Sequence, residues 1–148
     1  MATFTQILYQ IVYSTKYAEN TMALDESEKL YRYMWGVLKN KKCVLYRLNG
    51  TENHLHILTH VHPSVSVSSL VKDIKVSSSV WLKEQGIFPD FIGWQEGYGA
   101  FTYHINQKET LINYVKNQRE HHYVKTFKEE YIELLKEHRI ELDEKYLL

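Results

Sequence analysis

A single cysteine, Cys43, has no second thiol to pair with, so no internal disulfide can brace this chain. In its apolar surroundings the thiol reads as a small buried hydrophobe of a reducing compartment, and a cytoplasmic location is expected. Only two prolines and six glycines are spread over 148 residues. No Pro/Gly/Ser-rich linker, repeat or low-complexity run interrupts them, so residues 1–148 are read as one domain. Long apolar runs are missing too. Met1 to Tyr13 has no basic leader and no small-residue cleavage site, and it alternates apolar with polar residues, so neither a signal peptide nor a membrane span is expected. An excess of one charge is likewise absent. The 18 basic and 18 acidic residues cancel, which argues against a protein that coats duplex DNA by general electrostatics.

What is present is less even. Residues 129–148 carry seven acids and three bases, leaving fifteen bases against eleven acids elsewhere, so a mildly basic body ends in an acidic tail. Aromatics make up 14% of the chain, and twelve of them are tyrosine. Scattered aromatic faces suit unpaired bases as stacking platforms, although core and interface positions use them equally well. A chain of this length can close a core without disulfides or structural metal.

Thr5 to Tyr13 alternates, with Ile7, Tyr9, Ile11 and Tyr13 on one face and Gln6 and Gln10 on the other, which predicts a strand. Asp25 with Glu28 has the capping-box pattern ahead of Leu30, Tyr33, Met34, Val37 and Leu38 at helical spacing. A first helix is therefore expected from about Glu26 to Lys39. Cys43 to Leu48 reads as a strand, Asn49-Gly50 as a tight hairpin turn, and Glu52 to about Val61 as the returning strand. On that strand Leu55, Ile57, Thr59 and Val61 share one face, and His54, His56, Leu58 and His60 the other. The first face should meet helices; the second should look outward into a cleft.

Beyond Pro63, residues Val67, Leu70, Val71, Ile74, Trp81 and Leu82 form an apolar helical stripe that Gly86 and Pro89 bring to an end. Phe91 to Trp94 and Ala100 to His104 read as strand segments around Gly97-Tyr98-Gly99, where glycine permits a bend or close backbone approach. Asn106 and Glu109 resemble a second capping box, opening a third helix that runs through Tyr114 and Gln118. Thr126 with Glu129 opens a fourth, carrying Phe127, Tyr131, Leu134 and Leu135 on one side. Strand, helix, strand, strand, helix, strand is the ferredoxin-like split βαβ order. The expected fold class is α+β: an antiparallel sheet with helices on one face, plus C-terminal helices that carry the tyrosine. The opposite sheet face is expected to stay open.

Residues two apart on a strand share a face, and residues four apart on a helix share a side. His54 with His56, and Tyr114 with Gln118, are therefore two converging pairs. Neither is specific alone. The eight histidines make a His-x-His arise by chance about 0.4 times per chain, and exposed imidazoles on a polar strand face would explain it. His60 and His62 extend the run, but ligands along one strand spread over about 20 Å, a poor tetrahedral cage, so these two are read as incidental. A boundary tyrosine with its hydroxyl in water is the ordinary reading of Tyr114.

The larger pattern changes that balance. Glu52-Asn-His-Leu-His-Ile-Leu58, Trp94-Gln-Glu-Gly-Tyr-Gly-Ala-Phe101, Tyr114-Val-Lys-Asn-Gln118 and Glu120-His-His122 occur in that order, followed by the tail Leu135-Lys-Glu-His-Arg-Ile-Glu-Leu-Asp-Glu-Lys-Tyr-Leu147. Together they resemble the single-tyrosine transposases of the insertion-sequence 200/605 group, over nearly the whole chain. The resemblance implies a histidine-hydrophobe-histidine endonuclease that cuts and rejoins single-stranded DNA at folded hairpin ends. It implies His54 and His56 as metal ligands, Gln118 as the third and Tyr114 as nucleophile. It also implies a homodimer with two centres, each assembled within one subunit or across the pair.

The residue types fit this chemistry. A phenol near pKa 10 is protonated at neutral pH and needs either an activated electrophile or a nearby base. Two imidazoles and an amide oxygen leave positions open for phosphate oxygens on Mg²⁺ or Mn²⁺. Attack by Tyr114 would leave a 5′-phosphotyrosine and a free 3′-OH; the adduct keeps the bond energy, so resealing needs no nucleotide cofactor. Lys39, Lys41, Lys42, Arg47, Lys72 and Lys75 are candidate phosphate contacts, each equally readable as solvated surface. The alternative is a non-catalytic ferredoxin-like module that binds single-stranded nucleic acid, weakened by the want of an aromatic-rich recognition signature. A small dimeric metal-binding protein is a third reading.

Overall fold

Alternating runs become strands and helically spaced stripes become helices in the order expected from the sequence. The computed structural model describes residues 2–141, without the side chains of His122 and Tyr123; the end of the family-like tail, residues 142–148, lies outside the described residues. Strand β1 (Leu8–Ser14) is followed by helix α1 (Ser27–Asn40), strands β2 (Val44–Gly50) and β3 (His54–His60), helix α2 (Val67–Gln85) and strand β4 (Gly99–Tyr103). Three further helices follow: α3 (Lys108–Lys116), α4 (Gln118–Val124) and α5 (Phe127–Glu137). The sheet order is β2-β3-β1-β4 with every neighbouring pair antiparallel. This is the ferredoxin-like arrangement, in which each crossover helix links two strands separated by a third. No helix among the described residues is long and apolar enough to cross a membrane.

One face of the sheet packs on α1 and α2. Ile11, Tyr13, Leu55 and Ile57 project into a core that Leu30, Met34 and Leu38 of α1 and Leu70 and Ile74 of α2 complete, all fully buried. The apolar stripes expected from the sequence thus cover the face they were expected to cover. Ser66 caps α2 by accepting the Ser69 N–H, and Gly86 ends it in the left-handed conformation that favours glycine. The thiol of Cys43 is buried at the edge of the same core.

The other face is not open. Helices α3 and α5 cover it through two smaller apolar clusters, Leu8, Leu58, Leu111 and Val115 on one side and Val12, Phe101, Phe127, Tyr131 and Leu134 on the other. Even-numbered positions of β1 supply an apolar residue to each cluster, and that apolar content draws the late helices onto the sheet.

Several local expectations shift by a residue or more. Asn49 and Gly50 are the end of β2, not a turn; they pair with His56 and Leu55, and the chain reverses over residues 51–53. Gly50 is needed for space, because a Cβ there would stand 2.2 Å from the His54 carbonyl oxygen. Asp25 and Glu28 form no capping box: α1 begins at Ser27, whose hydroxyl donates to the Ala23 carbonyl at 2.9 Å. The second box is His104 with Gln107, two residues before the expected Asn106, and it opens a 3-10 turn that feeds α3. Phe91 to Trp94 contributes only an isolated bridge between Thr15 and Trp94. Gly99 does mark a close approach, since a Cβ there would meet the Phe101 and Tyr131 rings at 2.9 Å.

The expected single helix through Tyr114 and Gln118 is broken at Asn117 (φ −95°, ψ 19°). Asn49 Nδ2 donates to the Lys116 carbonyl at 2.9 Å. That carbonyl would otherwise accept from residue 120, whose N–H goes instead to Asn117 at 3.1 Å.

Candidate active site

Strand β3 turns His54 and His56 to the same side of the sheet, and both are buried, at 1% and 0% exposure. Burial of two polar rings demands partners. His56 Nδ1 lies 2.7 Å from Gln10 Oε1, while Gln10 Nε2 donates to the Tyr103 hydroxyl at 3.0 Å. His54 Nδ1 lies 2.8 Å from Asn53 Oδ1 and 2.9 Å from Thr51 Oγ1, both in the turn before β3. With Nδ1 donating to these oxygens, the Nε2 atom of each ring aims a lone pair into the space under α4 and α5.

Two oxygens meet those nitrogens. Gln118 Oε1 is 3.2 Å from His54 Nε2, and Glu130 Oε1 is 2.9 Å from His56 Nε2 and 3.4 Å from His54 Nε2. Two nitrogens and two oxygens thus converge, a set that hydrogens on Nε2 or a cation can satisfy. A hydrogen on Nε2 lets each ring donate to Glu130 Oε1; a metal ion would bind through the Nε2 lone pairs instead. The donor atoms of His54, His56 and Glu130 lie within 4.8 Å of one another, a grouping that could hold a metal ion. Imidazole nitrogens with carboxylate and amide oxygens suit a divalent cation, so the residues present fit one.

Tyr114, on α3, reaches this point from the side. Its hydroxyl donates a short hydrogen bond to Glu130 Oε2, which also accepts from Gln118 Nε2 at 3.1 Å. The ring meets His56 edge-on at 5.8 Å between centroids. Burial, and then the negative charge of Glu130, push the Tyr114 phenol far above its ordinary pKa, so it rests as a neutral donor. Burial alone would raise the Glu130 carboxyl; the hydrogen bonds to His54 and His56 outweigh it and hold the carboxyl well below the usual range. Burial lowers His54. Phe127 stacks on the His54 ring at 4.4 Å and closes that side of the site. A cleft of about 240 Å³ lined by Tyr103, Leu111, Tyr114 and Glu130 leads in from the other.

All four residues singled out by the sequence, His54, His56, Tyr114 and Gln118, therefore meet within one chain. The six basic candidates do not. Lys72 and Lys75 stand on α2, across the sheet; Lys75 Nζ donates to the Gln95 and Gly97 carbonyls at 2.8 and 2.7 Å. Lys41 pairs with Asp73 at 2.5 Å, Lys39 lies over the Trp35 ring, and Lys42 is exposed in the turn after α1. Arg47 alone of the six lines a cleft, of about 640 Å³ at the β2 edge of the sheet, with Arg32, Trp35, Lys116 and Arg119.

Glu130 was missed because it sits among the acids of the tail. Its signal was present: residues 127, 130, 131 and 134 form one helical stripe, and three of them are Phe, Tyr and Leu. A carboxylate inside an apolar stripe is buried with the stripe, and a buried carboxylate has partners.

The sequence profile of the family described as "Transposase IS200 like" matches residues 3–118. The chain belongs to this family. Solved structures agree on the fold of this IS200-like transposase. A candidate transposase from Deinococcus radiodurans R1 is 18% identical, with a TM-score of 0.64 over 80% of this chain and 95% of that one. A REP-associated tyrosine transposase bound to a REP hairpin is 10% identical, with a TM-score of 0.60 over 82% of this chain and 72% of that one. No curated protein matches the chain. The matched region of the transposase includes His54, His56, Tyr114 and Gln118 and stops twelve residues short of Glu130.

Proposed function

We propose that this transposase cuts and rejoins single-stranded DNA at hairpin ends through a 5′-phosphotyrosine on Tyr114. The observation that carries the reading is the gathering of half-buried Tyr114 and buried His54, His56 and Gln118 about one carboxylate: the Tyr114 hydroxyl and the Gln118 amide donate to Glu130 Oε2, and the Nε2 atoms of both histidines face Glu130 Oε1. His54, His56 and Gln118 would hold Mg²⁺ or Mn²⁺, which when bound polarises the phosphodiester and stabilises the leaving 3′-oxygen. Tyr114 supplies the nucleophile: its oxygen bonds to phosphorus, the bond from phosphorus to the 3′-oxygen breaks, and that oxygen takes a proton from water. The phenol gives its proton to water as its oxygen bonds to phosphorus, and the hydrogen bond to Glu130 Oε2 orients the hydroxyl beforehand. A second 3′-OH reverses the sequence and reseals the strand.

The strand approaches Tyr114 through the cleft lined by Tyr103, Leu111 and Tyr114, and the separate cleft at the β2 edge, with Arg47, Lys116, Arg119 and the exposed Trp35, offers phosphate contacts and a stacking face to flanking DNA. Transposition exchanges two ends, so two copies of the chain act together as a homodimer. His54, His56, Tyr114 and Gln118 come together within a single chain, which favours assembly within one subunit. A labelled single-stranded hairpin incubated with the protein and Mn²⁺ should give an adduct that survives denaturation, and Tyr114→Phe should bind the DNA without forming it. An equal adduct in Tyr114→Phe would move the nucleophile elsewhere.

A further inference from the structure

Glu130 lies on α5, beyond the region that the family profile covers, yet it touches every member of the site. Its side chain is 8% exposed, and its two oxygens face different groups. Oε1 faces the paired imidazoles, at 2.9 Å from His56 Nε2 and 3.4 Å from His54 Nε2. Oε2 accepts from the Tyr114 hydroxyl and from Gln118 Nε2. A carboxylate in this position is not adventitious packing. Phe127 and Tyr131 on the same helix face are buried against the sheet and hold the α5 backbone where the Glu130 side chain must enter the polar centre.

We infer that Glu130 is a further ligand of the divalent cation, and that its second oxygen positions the Tyr114 hydroxyl beside that ion. This rests on the reading of the site as a metal-dependent tyrosine centre. It adds that helix α5 belongs to the active site and that one carboxylate couples metal loading to placement of the nucleophile. A carboxylate brings negative charge, which strengthens the site's hold on hard divalent ions compared with two imidazoles and an amide.

The test is Mn²⁺ titration calorimetry on the full chain without DNA. Glu130→Gln keeps the shape and removes the charge; it should weaken Mn²⁺ binding by about tenfold or more, whereas Tyr114→Phe should leave it within about twofold, because the phenol meets the ion only through Oε2. Glu130→Asp should recover part of the lost affinity. Equal Mn²⁺ affinity in wild type and Glu130→Gln would overturn the inference and make Glu130 a stopper that the ion displaces. Faster adduct formation by Glu130→Gln would lead to the same conclusion. Absence of Mn²⁺ binding by the wild type would instead reject the metal-dependent reading as a whole. Wild-type crystals soaked in Mn²⁺ give a measurement that needs no variant: the anomalous peak should lie within about 2.6 Å of a Glu130 oxygen, and a peak bound by the histidines with that carboxylate turned away would count against the proposal.

Discussion

The two faces of one four-stranded sheet are built on opposite terms. On the α1/α2 face, odd-numbered residues of β1 and β3, among them Ile11, Tyr13, Leu55 and Ile57, meet leucines, methionines and isoleucines in a single continuous core. On the other face, even-numbered residues alternate in kind: Leu8, Val12 and Leu58 anchor two small apolar clusters, while Gln10, His54 and His56 lie between them under Tyr114, Gln118 and Glu130. Adjacent residues of the same strands thus supply the apolar core on one side and the candidate site on the other. Non-directional burial tolerates exchange of one hydrophobe for another, whereas the polar side works only while each hydrogen bond has its partner. The first face holds the sheet rigid, and the second uses that rigidity to keep two Nε2 atoms aimed at one point.

The sharpest break between the faces is chemical. Tyr114→Phe should abolish the covalent DNA adduct on a denaturing gel while the thermal midpoint stays near that of the wild type. Any residual adduct above a thousandth of the wild-type level, on the order of the non-enzymatic floor of a lost nucleophile, would mean that another residue attacks.

Next in size is the contrast in stability. Leu55→Ala opens a cavity on the apolar face beside residues that are 0% exposed, and should cost about 2–5 kcal/mol, a fall of roughly 4–20 °C in the midpoint of unfolding. Replacing the buried His56–Glu130 pair together by leucines should have the opposite sign. Two desolvated polar groups are exchanged for packed hydrophobes, and stability should rise by about 1–4 kcal/mol while cleavage is lost. A lower midpoint for that double variant would mean that the polar network holds the fold together as well.

Gln10 sharpens the comparison from within one strand. Its Oε1 sits 2.7 Å from His56 Nδ1, so Gln10→Ala should weaken Mn²⁺ binding by about 10–100-fold. Unchanged calorimetry would show that the imidazole needs no such support.

The smallest effect lies back on the apolar side. Packing strips water from Lys75, and its pKa is pushed down to about 8, while an unfolded chain keeps the proton to about 10.4. Between those values the unfolded state binds more protons, so stability attributable to this group rises with pH from about 8 to about 10. Melting curves of Lys75→Met should lack that rise; the same slope in both proteins would assign it to other groups.

Much of this arrangement is legible in the sequence. Alternation along Leu8–Ser14 and the stripe at Leu30, Met34 and Leu38 are local periodic signals, and they placed the strand and helix within a few residues. The asparagine-glycine pair misled because the same dipeptide that tolerates a tight turn also tolerates the crowding at the end of β2, where the neighbouring carbonyl leaves no room for a Cβ. The break at Asn117 depends on a side chain from β2, 67 residues away in sequence, and no window along the chain contains both partners. Glu130 was hidden for a related reason, since an acid in a charged tail looks solvated until the face it shares with Phe127 and Leu134 is seen against the sheet.

The order of elements, the shared side of His54 and His56, and the shared side of Tyr114 and Gln118 follow from periods of two and 3.6 residues, which any chain carries in its sequence alone. Covering of the histidine face, the convergence of both pairs within one chain, and the entry of Glu130 between them came only from the tertiary structure. Those features depend on how far apart and at what angle distant segments pack, and that is decided by apolar burial summed over the whole molecule rather than by any local run of residues.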